Sequence, residues 1–349
     1  MMTKIPCTMK GVVLTGHGDL DVLQYREDIA VPQLQDNEVL IRVMAAGVNN
    51  TDINTRIGWY SKTENSGDAS WSGSALQFPR IQGADVCGEI VAVGIQINKK
   101  RIGERVLIEP CLTESNGQKL TAPWYFGSEC NGGFAQYTVV SSAHAYRIES
   151  ELTDIELASF PCSYSTAENM LTRSNVTKND RVLISGASGG VGSAAIQLAK
   201  ARGAYVIAIN SPNKNSQMLA LGADEVLARN CQLVEALGEN SVDVVIDLVA
   251  GEQWSQYLEV LRPHGRYAVS GAIGGAMVNL DVRTLYLKDL SFFGCTILEP
   301  QVFKNLITHI EKGHIKPLVA KTFPLQEIHT AQTVFQEKNH VGKIVLTIE

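Results

Sequence analysis

The residues with the clearest chemistry lie mid-chain, at Gly186-Ala187-Ser188-Gly189-Gly190-Val191-Gly192. They follow the apolar run Val182 to Ser185 and precede Ser193-Ala-Ala-Ile-Gln-Leu-Ala-Lys, a row of good helix formers. Without β-carbons the backbone can turn sharply and approach a pyrophosphate. The free N–H groups and positive dipole end of the next helix then favour the anion. A tight strand-to-helix turn without ligand is the bland alternative, and three glycines at 189, 190 and 192 weigh against it. Ala187, Ser188, Gly189, Gly190, Val191 and Gly192 are therefore expected to cradle the phosphates of a dinucleotide.

The next apolar strand, Tyr205 to Asn210, leads into Ser211-Pro212-Asn213-Lys214. An NAD site places a carboxylate here, on the adenosine ribose 2′-hydroxyl. No Asp or Glu occurs between Arg181 and Ala223. A 2′-phosphate would meet no repulsion and would find Ser211 and Lys214, with Asn210 beside them. NADPH is the expected cofactor; otherwise Lys214 is a solvated lysine at a helix start.

Metal chemistry finds little support. Cysteines stand at 7, 87, 111, 130, 162, 231 and 295, an odd number with no C-x-x-C pair. That pattern predicts free thiols in a reducing compartment, with the cytoplasm as the default. Histidines stand at 17, 144, 264, 309, 314, 329 and 340, so none falls between Gly18 and Ala143. A catalytic zinc draws three ligands from Cys, His and carboxylate.

The elements that must position these groups change character along the chain. From Met9 to about Arg147, short β-rich runs such as NEVLIRVMAAGV, VCGEIVAVG and GGFAQYTVV predict a compact barrel-like unit. After Glu151, apolar strands alternate with amphipathic helices: RVLIS, a helix from Ser193 to Arg202, YVIAIN, a helix near Gln217 to Leu221, DVVIDLVA, GRYAVSG and LSFFGCT. Such alternation predicts an α/β fold with a doubly wound parallel sheet. Helices at about 301–312 and 325–338 and a closing strand, KIVLTI, follow. Ser61 to Gln77 reads as the one linker-like stretch. The length of 349 residues suits two domains. A net charge of -6 leaves no basic footprint for nucleic acid, and no apolar run is long enough to cross a membrane as a helix.

Over nearly its whole length the chain resembles the medium-chain dehydrogenase/reductase superfamily, and within it the zinc-independent quinone-oxidoreductase-like group. The matching segments include AAGVNNTD at Ala45 to Asp52, PRIQGADVCGEIVAVG at Pro79 to Gly94, IGERVLIEP at Ile102 to Pro110, GASGGVGSAAIQLAKARGA, LGADEV, DVVIDLVAG and HVGKIVLTI. The resemblance implies a GroES-like catalytic domain over 1–150, a Rossmann domain over 151–297 and a segment, 298–349, that returns to the first. It also implies an active site in the cleft between domains. The oligomer would be a homodimer or homotetramer in which the strand near Ser291 to Ile297 pairs with its twin.

In the zinc enzymes of this superfamily the position of Asn49 is Cys and that of Ala84 is His, while Cys162 and Asp85 match the third ligand and the neighbouring acid. Two ligands are thus lost. Of the structural-zinc cysteines only Cys111 and Cys130 remain, so no zinc of either kind is expected. Without a Lewis acid, alcohol oxidation loses electrostatic help. Hydride transfer to a quinone or α,β-unsaturated carbonyl needs only a hydrogen bond to the forming oxyanion and a proton. The resemblance implies Asn49 near the nicotinamide, Thr51 as a proton relay, Asp52 as a structural acceptor, and Ser270, Gly271 and Lys343 at the cofactor. The run closes Arg56-Ile57-Gly58-Trp59-Tyr60, which makes Tyr60 the candidate proton donor or aromatic wall; these reductases often carry a tyrosine where Asn54 stands, so their substrate roles do not transfer directly. Trp71, in the Ser61 to Gln77 stretch, has two equal readings: a lid residue over the cleft, or a side chain packed on the barrel within a surface excursion. The competing readings are an aldehyde or alcohol dehydrogenase, and an NADPH-binding structural or interaction protein with little turnover.

Overall fold

A computed structural model describes residues 5–61 and 75–349. Trp71 and most of the Ser61 to Gln77 stretch lie outside the described residues. The chain divides into two compact units. One comprises Met1–Cys162, Pro317–Asn339 and Lys343–Glu349; the other comprises Ser163–Lys316 and His340–Gly342. These divisions differ from the expected 150 and 297. The helix Val302–Glu311 stays with the second unit, where Val302, Phe303, Leu306 and Ile310 form a buried stripe at helical spacing. Asn305 on that helix donates to the buried carboxylate of Glu168 at 3.2 Å.

The first unit contains strands β1 (Thr8–Leu14), β2 (Leu23–Ala30), β3 (Glu38–Val48), β4 (Arg80–Ile81), β5 (Asp85–Val93), β6 (Arg105–Ile108), β7 (Cys111–Ser115), β8 (Gln118–Tyr125), β9 (Tyr137–Ser141), β10 (Ala145–Arg147), β17 (Val319–Pro324) and β18 (Lys343–Thr347). The main sheet runs β10-β6-β5-β3-β18-β17, with β9 also on β3. β3 is buried at nearly every position because strands lie on both of its edges, and its residues Val39, Ile41, Val43, Ala46 and Val48 enter the core. Its far end fixes the functional groups. Antiparallel pairing sets Asp85 opposite Gly47 and Ile344 opposite Val48. A side chain on Gly47 could not coexist with this arrangement, since a Cβ there would lie 2.5 Å from Asp85 Oδ2 and 2.8 Å from the Ala158 carbonyl. The segment between Cys111 and Cys130 forms the antiparallel β7–β8 pair, with Leu112, Tyr125 and Phe126 buried. Both cysteines are free thiols.

The second unit contains β11 (Arg181–Ile184), β12 (Tyr205–Asn210), β13 (Glu225–Ala228), β14 (Val242–Asp247), β15 (Leu261–Val269) and β16 (Ser291–Gly294) in the order β13-β12-β11-β14-β15-β16. All neighbours are parallel. The first strand therefore lies in the middle and the chain reverses direction across the sheet between β11 and β14, the doubly wound Rossmann arrangement. Val182, Leu183 and Ile184 are fully buried, as a strand covered on both faces requires.

Candidate functional site

The strand ends of the second unit converge on the glycine-rich turn. Gly186 leaves β11 at φ +56°, and Gly189 is the N-cap of the helix Gly190–Ala201. Ala187 packs inward, while Ser188 is half-buried and Gly189 is exposed. The first-turn N–H groups of a helix lack partners within it, and this end presents them beside an exposed glycine. Behind the turn stands a residue with no signal in the sequence, the fully buried Asp247 at the end of β14. Its carboxylate accepts from Ser185 Oγ at 2.5 Å, Tyr267 Oη at 2.5 Å and the Val249 and Ala250 N–H groups at 2.9 and 3.1 Å. Ser185 Oγ in turn accepts from Leu248 N at 2.8 Å. Asp247 thus ties the ends of β11, β14 and β15 together and holds Ala250 at φ +55°. Beyond β15, Ser270 Oγ donates to the Cys295 carbonyl at 2.7 Å, and the Gly271 backbone lies against Leu248, whose carbonyl would be 2.6 Å from a Cβ on Gly271.

At the tip of β12, Asn210 is buried and its amide donates to the Ser211 carbonyl at 2.8 Å and Asn215 Oδ1 at 2.9 Å. Lys214 is not a solvated lysine: it is buried, and its ammonium donates to the His340 carbonyl at 2.9 Å. Burial, and then the charge of Arg229, push its pKa down. Arg229 donates to Ser211 Oγ. It lies just past β13, the strand beside β12, so the two elements bring Ser211, Lys214 and Arg229 to one place. No residue pattern following β12 points to Arg229, which reaches Ser211 only because β13 pairs beside β12.

In the first unit, Asn49 is the N-cap of the helix Asn50–Arg56 and its N–H donates to Asp52 Oδ2 at 2.8 Å. Asp52 also accepts from Gly83 N at 3.2 Å, which is a structural role. The Asn49 amide donates to Asp85 Oδ2 at 2.9 Å and the Gly47 carbonyl at 3.3 Å. Lys343, expected at the cofactor, has its ammonium 2.8 Å from Asp85 Oδ2 and also donates to Asn49 Oδ1. Asp85 Oδ1 accepts from Cys162 N at 2.5 Å, and Cys162 Sγ lies 3.0 Å from Tyr125 Oη. Asn49, Asp85, Lys343, Cys162 and Tyr125 are all buried. Just past the end of that helix, Tyr60 Oη donates to Thr51 Oγ1 on it at 3.1 Å, and Asn54 also hydrogen-bonds the phenol. Burial pushes the Tyr60 pKa up, so the phenol keeps its proton at neutral pH.

These residues do not fit a zinc. Cys162 is the one matching ligand that remains, and in the metal-free protein burial, then the Asp85 charge, push its thiol up to about 12. Asn49 and Ala84 offer no strong donor, and an ammonium lies against the remaining carboxylate. Among the described residues no three His, Cys, Asp or Glu side chains form a group that could hold a metal ion.

Burial raises the pKa of Asp52 to about 7 against an ordinary value near 4. The folded state then binds a proton that the unfolded state has released, so this contribution is full below about pH 4 and lost as pH rises through about 7. Denaturation midpoints of the wild type should fall across that window more steeply than those of Asp52→Asn. Parallel pH profiles would count against a raised Asp52.

Two family models match the chain: the alcohol dehydrogenase GroES-like domain over residues 35–150, and the zinc-binding dehydrogenase over residues 190–312. A solved structure of a candidate alcohol dehydrogenase from Sinorhizobium meliloti 1021 is 43% identical, with a TM-score of 0.90, over 99% of this chain and 98% of that one. The quinone oxidoreductase of Homo sapiens is 28% identical over 354 residues, 97% of this chain and 98% of that protein. An NAD-dependent alcohol dehydrogenase of Sulfolobus acidocaldarius is 28% identical over 338 residues, 92% of this chain and 95% of that protein.

Proposed function

Because the chain belongs to the medium-chain dehydrogenase/reductase superfamily, we propose that it is an NADPH-dependent reductase of quinones or α,β-unsaturated carbonyls that works without zinc. The observation that carries this reading is the buried Asp85–Lys343–Asn49 cluster, which leaves no Lewis acid for alcohol oxidation. An acceptor that is already polarised needs less assistance.

NADPH, when bound, supplies the hydride. The backbone of Ala187, Ser188, Gly189, Gly190, Val191 and Gly192 would hold its phosphates, and Ser270 and Gly271 would border its nicotinamide. Ser211, Lys214 and Arg229 supply a hydroxyl and two cations for a 2′-phosphate, beside Asn210. Tyr60 and Thr51 share a hydrogen bond through which a proton can pass to the reduced acceptor, so that one hydride and one proton are added in all. We assign assembly into a homodimer to the free edge of β16, where Phe292, packed on Tyr267 of β15, and Ile297 just beyond the strand are both partly open to solvent. The seven free thiols fit a reducing cytoplasm.

NADPH oxidation across a panel of quinones, enones and aldehydes tests the reading. Turnover of quinones or enones, with NADPH bound about ten- to a hundredfold more tightly than NADH, is expected from charge-assisted contacts to a 2′-phosphate. Tyr60→Phe should lower kcat by roughly a hundredfold or more if the phenol is the acid. Turnover of aldehydes alone would favour the alcohol dehydrogenase reading, and tight NADPH binding with no turnover would favour a binding protein.

A further inference from the structure

We propose that the Lys343 ammonium is this protein's resident cation: it fills, by charge and by hydrogen bonding, the seat where a metal would otherwise lie, and so keeps divalent ions out. The inference deepens the zinc-independent reading above and rests on it. The Asp85 carboxylate and the Asn49 amide oxygen line this seat, and Cys162 adjoins it, its N–H on Asp85 Oδ1 and its thiol against the Tyr125 phenol; the four come from separate segments, since Asp85 opens β5, Asn49 follows β3, Cys162 lies beyond β10 and Tyr125 closes β8. Lys343 is the first residue of β18, and the pairing of Ile344 with Val48 aims its side chain at them. The Lys343 side chain is 3% exposed, and its ammonium has Asp85 Oδ2 at 2.8 Å and Asn49 Oδ1 as hydrogen-bond acceptors.

The charges explain why a metal is refused. Asp85 is fully buried, and its negative charge is matched by one ammonium. A divalent ion brought to Asp85 and Cys162 would meet that ammonium at close range, in surroundings of low effective dielectric. Conversely, the seat is not empty of charge: a buried carboxylate with no cation would be strongly disfavoured, so Lys343 allows the fold to keep Asp85. An ammonium has no vacant coordination position. It can offer an acceptor oxygen an N–H but cannot bind it as a Lewis acid, which restricts the chemistry this unit can assist.

Cobalt(II) titration, read by the thiolate-to-cobalt charge-transfer band, separates the missing ligand from the competing charge. Wild type should show no band. Asn49→Cys restores a third donor but keeps the ammonium, and Asn49→Cys with Lys343→Arg keeps a cation of another shape. Both should bind cobalt about a hundredfold or more weakly than Asn49→Cys with Lys343→Met, which removes the charge. Equal affinities across the three variants, or stoichiometric metal in the wild type, would overturn the proposal. A Lys343→Met double variant that folds only when cobalt is present supports it, because the ion then stands in for the ammonium. One that folds neither with nor without cobalt counts against it. None of these readouts depends on turnover, so a failed assay of quinone or enone reduction would sink the reductase reading while leaving this one standing.

Discussion

Asp85→Ala should destabilise the protein by about 3–5 kcal/mol, the cost of leaving one member of a buried ion pair without its partner. Against a total folding free energy of roughly 5–15 kcal/mol, that is enough to unfold a marginal chain. Three donors lose an acceptor at once: the Cys162 N–H, the Lys343 ammonium, which keeps only Asn49 Oδ1, and the Asn49 amide, which keeps only the Gly47 carbonyl. No water-exposed route relieves them, since all three residues are buried. Lys343→Met in the same background removes the stranded charge, so the double variant should recover about 1–3 kcal/mol relative to the sum of the single changes. Denaturant midpoints of the four proteins measure this coupling. Strict additivity would mean that Asp85 and Lys343 do not act as a pair.

The sequence was informative where burial imposes a pattern. Val182 to Ile184 and Tyr205 to Asn210 read as strands because strands covered on both faces must be continuously apolar, and the structure places β11 at Arg181–Ile184 and β12 at Tyr205–Asn210. The glycines between β11 and the following helix marked the turn for the same reason: only a missing side chain explains them. Pairing across the chain was not legible. Asp85 and Lys343 meet because β5 and β18 both pair with β3, and no local pattern around either residue carries that register. Arg229 joins Ser211 through the neighbour relation of β12 and β13, which the order of strands in the chain does not reveal. The β7–β8 hairpin is not legible because Gln118–Tyr125, QKLTAPWY, carries a proline and no regular alternation of apolar and polar residues, the pattern that marks a half-buried strand.

Gly192→Ala and Gly189→Ala should differ sharply, and the contrast tests the cradle. A Cβ on Gly192 would lie 2.4 Å from the Gly186 carbonyl oxygen and 2.6 Å from Ala187 Cα. Both atoms are backbone, so the turn itself must shift. The cost should be about 1–3 kcal/mol or more of stability, together with loss of NADPH binding. Gly189 has room: the nearest atom to its Cβ would be the Gly186 oxygen at 3.4 Å, an ordinary contact. Gly189→Ala should therefore keep its denaturation midpoint while placing a methyl group on the exposed side of the helix N-terminus, where a phosphate would approach the N–H groups. Its NADPH dissociation constant should rise about tenfold or more, with unfolding unchanged. Titration of NADPH by fluorescence alongside thermal denaturation decides the matter. If Gly189→Ala binds NADPH as the wild type does, the phosphates do not rest on this turn, and the glycines serve only the close packing of the helix on β11.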